Sequence, residues 1–308
     1  MRKVALLYNP LSGSRHNRRL ADVQAASSVL RDAGMEVIVT PTQAAPGTAE
    51  QVSEAVAEGC DTVFACGGDG TVHDVLQSLV GSETALAIIP LGTANALAHD
   101  LGIPLTPAAA ARAALMAKSR RIAVGQVHYQ NLSGNSGSRY FTVALGIGAD
   151  AHLFHELDSS LKVRFGMLAY YAQATWLWLT LNMQTFAAEF SADNGLPRQA
   201  AVSELLAVRI RNFGGVLREL APGASLDRND LRLVLFHTHS RPKYLRYIVR
   251  GLVGAGWQVS GIELIHSTSV KCKPLGDSPV YVEADGEILG TLPAEITMVR
   301  NALTILAP

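Results

Sequence analysis

Cysteine is scarce in this chain, and the few that occur exclude two kinds of stabilising crosslink. There are three, Cys60, Cys66 and Cys272, an odd number without the paired spacing of a metal site. A disulfide framework and a zinc site built on cysteine pairs are therefore excluded as features that hold the fold together. We interpret the three as reduced thiols, which indicates a cytoplasmic protein.

The chain also lacks an excess of charge of either sign. Lys and Arg total 26 and Asp and Glu total 26, so the formal net charge is zero. Without a basic excess, nothing points to nucleic acid as a partner. The N-terminal apolar stretch from Val4 to Tyr8 is too short for a signal peptide, and we expect it to form the first strand.

Long apolar runs are few, and one segment is borderline. Residues from Phe165 to Met183 reach about the minimum length of a membrane span but carry Gln173 and Thr175 near their centre. A buried helix is the favoured interpretation, and docking at a membrane interface through Trp176 and Trp178 stays open. Hydrophobic residues make up 48% of the chain and mean hydropathy is +0.19, which indicates either a large core or apolar surface for a greasy ligand.

The first third of the chain alternates apolar runs with helical patterns. Apolar runs occur at 4–8, 37–40, 61–65 and 85–89, and helical spacing occurs at 18–33, 49–58 and 71–79. Crossovers of this length between apolar strands predict a parallel, doubly wound sheet. Beyond residue 121, short alternating runs separated by turn residues predict an antiparallel β-sandwich. The predicted fold class is α/β, with domains at 1–121 and 122–294.

Three glycines within four positions follow the third apolar run. Gly67, Gly68 and Gly70 lack the Cβ that would keep a phosphate away from backbone amides, and a helix is predicted to begin at Thr71. Asp69 stands among them and would repel phosphate if holding phosphate were its task. We expect Asp69 to accept a proton from a hydroxyl or to hold the water of a magnesium ion, which indicates phosphoryl transfer. A merely flexible turn is the alternative.

The fourth apolar run ends in a second polar loop. Thr93 and Asn95 offer a hydroxyl and an amide suited to phosphate, ribose or base, although Thr93 as an ordinary helix N-cap stays open. Asn9, Asp69 and Asn95 each follow the carboxyl end of a predicted parallel strand. Open α/β sheets bind ligands at this edge, so the first domain is predicted to bind a nucleotide there.

Four motifs occur in a fixed order: Asn9 to Gly13, Gly67 to Thr71, Pro90 to Asn95, and Asp285 to Glu287. Together they resemble the diacylglycerol kinase catalytic-domain family, which includes sphingosine and ceramide kinases and bacterial lipid kinases of the YegS type. The resemblance covers nearly the whole chain. It implies a soluble kinase that transfers the γ-phosphoryl group of ATP to a lipid hydroxyl with Mg²⁺, the acceptor being diacylglycerol-like or sphingoid.

The resemblance also implies a role for each motif. Asp69 would be the general base, Glu287 a second catalytic residue and magnesium ligand, and Asp150 a contact for the lipid head group. A last strand at 295–308 would return to the first domain. The nucleotide would contact Asn9, Ser12, Thr42, Gly67, Gly68, Gly70, Thr71, Gly92, Thr93, Asn95 and Asp285.

Two departures concern a second, structural magnesium site that the family implies. Ala123 stands where many bacterial members carry Asp, and Asp227 to Asn229 replaces the usual Asp-Asp-Gly turn. We therefore expect one catalytic metal and assign no second one. His237 and His239 have no third residue at a suggestive spacing, so a metal site there is not predicted.

Two other functions stay open. An NAD kinase-like enzyme with a small polar acceptor would share the glycine turn, although the apolar segment 167–181 argues against it. A non-catalytic nucleotide-binding regulator would agree with the departures at Ala123 and Arg228. For the kinase, we expect a lipid substrate, transient association of a cytoplasmic protein with a membrane surface, and no nucleic acid; a homodimer is left open.

Overall fold

The first half of the chain forms a parallel sheet with helices, as the alternating pattern predicts. The computed structural model describes residues 1–13, 18–44, 47–156, 176–191, 196–214, 219–254 and 256–308. The strands pair in parallel in the order β2-β1-β3-β4. The elements are β1 Lys3–Tyr8, α1 Arg19–Asp32, β2 Glu36–Pro41, α2 Gly47–Ala57, β3 Thr62–Gly67, α3 Asp69–Leu79, β4 Ala85–Pro90, α4 Ala96–Asp100 and α5 Pro107–Met116.

The second half is dominated by antiparallel strands, which confirms the predicted β-sandwich. All strands belong to one continuous hydrogen-bonded sheet that folds around an apolar interior in this half, and the last strand continues into the parallel sheet. The elements are β5 Lys118–Asn131, β6 Ser136–Phe141, β7 Ala144–Gly148, α6 Ala149–Glu156, β8 Phe186–Ser191, β9 Pro197–Val202, β10 Glu204–Val208, β11 Leu231–Phe236, α7 Arg241–Val253, β12 Ile262–Ser267, β13 Ser269–Pro274, β14 Tyr281–Ala284 and β15 Glu287–Ala307.

Two predicted strands are interrupted, and two helices, α6 and α7, were not predicted. The run at 140–145 breaks because the N–H groups of Thr142 and Val143 bond to Asp285 rather than to a neighbouring strand. The run at 261–270 breaks because the chain changes pairing partners there: β12 pairs with β11, whereas β13 pairs with β15 and β8.

The borderline segment from Phe165 to Met183 falls mainly outside the described residues. In its described part Trp176 is exposed, whereas Leu181 and Met183 are buried. No helix in the described ranges is long and apolar enough to cross a membrane.

Two long strands run through both halves. β5 and the 21-residue β15 pair along most of their lengths, and Ile305 of β15 also pairs with Leu86 of β4. Ile122 and Leu303 belong to the core of the first half, whereas other positions of the same strands, such as Val127, belong to the core of the sandwich. The division at residue 121 stays a prediction, because β5 crosses it without interruption.

Candidate active site

Three loops meet at the carboxyl edge of the parallel sheet, and the contact is made by glycine. A Cβ on Gly68 would lie 3.2 Å from the Cα of Gly92 and 3.5 Å from the Oγ of Ser12. A Cβ on Gly92 would overlap the Cα of Gly68. The loops after β1, β3 and β4 can therefore touch only without side chains at these positions, and their backbone amides line one shared edge.

Arg19 joins two of these loops, a role that the sequence analysis did not predict. It is buried at the start of α1, and its Nη2 donates to the carbonyl oxygens of Leu91, at 3.0 Å, and Ser12. A charged donor shared by two carbonyls is a strong constraint in a buried place. The sequence cannot identify this role, because the acceptors are backbone carbonyls and every residue carries one.

Asn95 braces the third loop from within. Its backbone is left-handed, with φ of 49°, at the N-cap position of α4. Its Oδ1 accepts the Gly92 N–H at 2.9 Å and its Nδ2 donates to the Gly92 carbonyl at 3.0 Å. Because Asn95 occupies the N-cap position, the alternative that Thr93 caps the helix is wrong. A cavity of about 300 Å³ lies beside this loop, lined by Arg19, Gly92, Thr93, Asn95 and His99.

Asp69 lies in the first turn of α3, which begins two residues earlier than predicted. Its Oδ1 accepts the Ala96 N–H at 2.7 Å, so the carboxylate joins the glycine turn to the start of α4. Burial raises the pKa of Asp69, opposed by the backbone N–H groups of Ala96 and Asn95 that favour the charged form. One carboxylate oxygen is used by this bond, which leaves the other for a reacting group.

Glu287 faces the same glycine turn from β15. One of its carboxylate oxygens lies 2.8 Å from the position that a Cβ on Gly70 would take. Burial raises the pKa of Glu287, and His73 acts in the opposite direction. Within the described ranges, no group of three His, Cys, Asp or Glu side chains is arranged to hold a metal alone. A magnesium ion at Glu287 would therefore need phosphate oxygens as further ligands, which is its usual habit at nucleotide sites.

Asp285 is bonded to the protein rather than open to a ligand. It occupies a two-residue hairpin turn between β14 and β15, with positive φ at Asp285 and Gly286, as an Asp-Gly turn predicts. Its oxygens accept the N–H groups at 142–144 at 2.9 to 3.1 Å, and His73 Nδ1 lies 3.5 Å away. The side chain is only 3% exposed. Its predicted nucleotide contact has no support from this geometry and stays a prediction.

The other predicted nucleotide contacts lie at the same edge with different exposures. Asn9 accepts the Leu11 N–H through Oδ1 at 2.9 Å, which shapes the first loop. Thr42 is partly exposed one strand away, and its N–H bonds to the Tyr8 carbonyl at 2.8 Å. Thr71 is buried, and its side chain fills the space where a Cβ on Gly67 would lie. These contacts stay predictions.

Asp150 belongs to a separate cluster of three acids in the sandwich. It lies in the first turn of α6, and its carboxylate fills the space beside Gly146 that a side chain there would need. Burial raises the pKa of Asp150 to about 7. Burial and then the Asp150 charge raise the pKa values of Glu204 and Glu283 well above their usual range. Because Glu283 lies on β14, two residues before Asp285, one strand connects this cluster to the glycine turns.

An arginine lies where the resemblance implies a structural magnesium site, between Ala123 and the turn at 227–229. Arg209 is fully buried, and burial lowers its pKa to about 10, so it is charged at neutral pH. The backbone carbonyl oxygens around it would suit a divalent cation, but they already bind the guanidinium group of Arg209. The residues present therefore do not fit a second metal ion. Its guanidinium donates at 2.6 to 3.4 Å to the backbone carbonyls of Ala123, Ser225, Leu226, Arg228 and Asp230.

Comparison with known proteins agrees with this architecture. Residues 3–127 match the diacylglycerol kinase catalytic domain, and residues 142–307 match the YegS C-terminal NAD kinase beta sandwich-like domain. A diacylglycerol kinase of Bacillus subtilis (strain 168) is 27% identical over 100% of this chain and 97% of its own length. A probable lipid kinase YegS-like protein of Pseudomonas fluorescens is 34% identical over 78% of this chain and 76% of its own.

Solved structures share the fold at lower identity. The crystal structure of a diacylglycerol kinase from Bacillus anthracis str. Sterne has a TM-score of 0.75 at 21% identity, over 99% of this chain and 97% of that chain. Yeast NADH kinase complexed with NADH has a TM-score of 0.51 at 12% identity, over 100% and 84%. These structural similarities show the fold alone, whereas the two family matches also show the family to which the chain belongs. The chain is a kinase and belongs to the family of diacylglycerol kinases and YegS-like lipid kinases.

Proposed function

We propose that this chain transfers the γ-phosphoryl group of ATP to the hydroxyl of a lipid, diacylglycerol-like or sphingoid, with Mg²⁺. One observation carries the proposal: the loops after β3 and β4 touch through Gly68 and Gly92, Asp69 joins the same two loops, and Glu287 lies against Gly70. Backbone amides can bind phosphate. Of the two carboxylates, Asp69 would contact the hydroxyl of the acceptor and Glu287 would bind the metal ion.

Asp69 orients the attacking hydroxyl and accepts its proton. Its Oδ1 is held by the Ala96 N–H at 2.7 Å, so the second oxygen is positioned without cost at the moment of reaction. The raised pKa makes the carboxylate a better proton acceptor than an exposed aspartate. Glu287 would hold the magnesium ion, which offsets phosphate charge when bound.

His73 and Asp285 position these groups through contacts within the protein. Asp285 fastens the turn before Glu287 to the backbone at 142–144, and His73 extends from α3 to that turn at 3.5 Å. Both are buried, so their contacts are protected from water. The two carboxylates of the site, Asp69 on α3 and Glu287 on β15, are thereby set at a fixed spacing.

The acceptor would reach this edge from the sandwich side, where Asp150 can bond to its polar head. A lipid acceptor also implies transient association with a membrane surface. Asp150 suits a head group because its raised pKa allows it to donate a proton in a hydrogen bond as well as to accept one near neutral pH.

The test is incubation of the purified chain with ATP, Mg²⁺ and a total lipid extract, followed by mass spectrometry of newly phosphorylated lipids. We expect at least one phosphorylated lipid, which disappears when Mg²⁺ is omitted or Asp69→Asn is used. A parallel reaction with NAD in place of lipid serves as a control. Phosphorylation of NAD and of no lipid would overturn the proposal, and nucleotide binding without any transfer would favour a regulator.

A further inference from the structure

Helix α7 presents much of its apolar surface to solvent. The side that packs on the sandwich carries Tyr244, Tyr247 and Arg250, all buried. The opposite side carries five aliphatic residues, each 37% to 62% exposed: Leu245, Ile248, Val249, Leu252 and Val253. An exposed apolar patch of this kind with charged residues around it marks an interaction surface.

Exposed aromatic residues lie near both ends of α7. Arg241 at the start of α7 donates to the carbonyls of Trp178, at 3.1 Å, and Leu181, at 2.7 Å, which holds the segment 176–181 beside the helix. In that segment Trp176 is 63% exposed, and Trp257 beyond the end of α7 is 39% exposed. Exposed indole rings next to an apolar helix face are typical of segments that lie at a membrane interface.

The charges of α7 select the partner. The helix carries Arg241, Lys243, Arg246 and Arg250 and no acidic residue. Arg250 is buried, Arg241 and Lys243 are partly exposed, and Arg246 is exposed among the aliphatic residues. The 13 residues of the helix span roughly 20 Å, too short to cross a bilayer. We propose that α7, with Trp176 and Trp257, docks flat on an anionic membrane, with its aliphatic side inserted and with Arg246, Lys243 and Arg241 near the phosphate head groups.

This docking surface adjoins the acidic cluster and deepens the proposed function, on which it rests. On the buried side of α7, the Tyr244 hydroxyl lies 2.8 Å from Ser203 Oγ, and Glu204 follows directly. Ser203 therefore links the helix to Glu204 of the cluster, and the charges of Glu204 and Asp150 both act on Tyr244. A bilayer bound to the aliphatic side of α7 would place its lipid head groups about one helix diameter, roughly 10 Å, from the side of the helix that faces the site predicted for the acceptor.

The test measures sedimentation of the full chain with vesicles, without ATP, so that the result does not depend on catalysis. Vesicles of phosphatidylcholine alone are compared with vesicles containing phosphatidylglycerol. We expect binding to the anionic vesicles, weakened by salt, and reduced about tenfold or more in the double variant Leu245→Glu/Val249→Glu. Leu132→Glu, which changes an exposed leucine in the β5–β6 turn, should bind as the unaltered chain does.

Each outcome decides the question. Equal binding by the double variant, or no preference for anionic vesicles, would overturn the inference. A change of oligomeric state in the double variant on gel filtration would also overturn it, because the surface would then contact a second copy. If circular dichroism shows that the double variant is unfolded, Arg246→Glu decides alone through its lost binding. Vesicle binding by a chain that phosphorylates no lipid would support docking while rejecting the proposed function.

Discussion

At the scale of single residues, Asp69 combines a structural bond with a chemical role, and two substitutions separate them. Asp69→Asn keeps an oxygen that can accept the Ala96 N–H but removes the charge. We expect turnover to fall by about a hundredfold or more with ATP affinity within severalfold of the original. Asp69→Ala removes the bond as well and should also weaken ATP binding. Initial rates and calorimetric titration with ATP measure both effects.

Asp32→Asn, an exposed position on α1, is the matched control and should leave both quantities unchanged. If Asp69→Asn turns over at the original rate, Asp69 is not the proton acceptor, and its bond to Ala96 is its whole role.

Asp150 makes a prediction about stability and pH. Its folded-state pKa is about 7 against an ordinary 3.8, so between these values the unfolded chain has lost a proton that the folded chain retains. Stability therefore falls as pH rises through this range and levels off above about 7. Asp150→Asn cannot titrate, so we expect its gain in stability over the original chain to be larger at pH 8 than at pH 5. Urea unfolding at both values measures the difference, and an equal gain at both would contradict the predicted shift.

At the scale of loops and strands, the glycine contacts determine whether phosphate has access. Gly92→Ala would place a Cβ on the Cα of Gly68, so the two loops must separate. We expect ATP affinity to fall about tenfold or more, because the row of amides is disrupted. Gly276→Ala, at a position where a Cβ meets nothing within 4 Å, is the matched control and should bind ATP normally. Equal affinity in both variants would mean that phosphate does not bind along these loops.

Because Arg209 binds backbone carbonyls between Ala221 and Asp230, we expect the structure of this segment not to require a bound metal ion. We expect the melting temperature of the nucleotide-free protein to be the same in EDTA and in Mg²⁺. Arg209→Met should cost roughly 3–5 kcal/mol of the free energy of unfolding, since it leaves buried carbonyls without donors. Arg31→Met, on the exposed side of α1, serves as the control and should cost little. Stabilisation by Mg²⁺ without nucleotide would show that a metal site exists after all.

The parallel sheet, the sandwich and the glycine turn were predictable because apolar periodicity and glycine spacing depend only on the order of residue types in the sequence. Helix α7 was not, because its packed side carries tyrosine and arginine while its aliphatic side faces solvent, the reverse of the usual pattern. The anchoring roles of Arg19 and Arg209 were hidden for another reason: their acceptors are backbone carbonyls, which no residue type identifies. His73 and Asp285 lie 212 residues apart, and only the fold brings them together.

At the scale of the whole molecule, the two halves should unfold together. β5 and β15 contribute side chains to both cores and pair with each other across the predicted boundary. We expect one calorimetric transition whose measured enthalpy equals the van't Hoff enthalpy. Two separate calorimetric transitions would show that the shared strands do not couple the cores. Far- and near-ultraviolet circular dichroism signals that change at different temperatures would show the same.

The same pair of strands has a consequence for how substrates enter. Many kinases close over their nucleotide by hinge rotation about flexible linkers, and here such a rotation would have to break a hydrogen-bonded ladder. The spacing between the glycine turn and Glu287 of β15 is therefore set before either substrate arrives. Selection among acceptors then depends on the segments around this site, so exchanging those segments, rather than loosening the strands beneath them, is the route to a new acceptor.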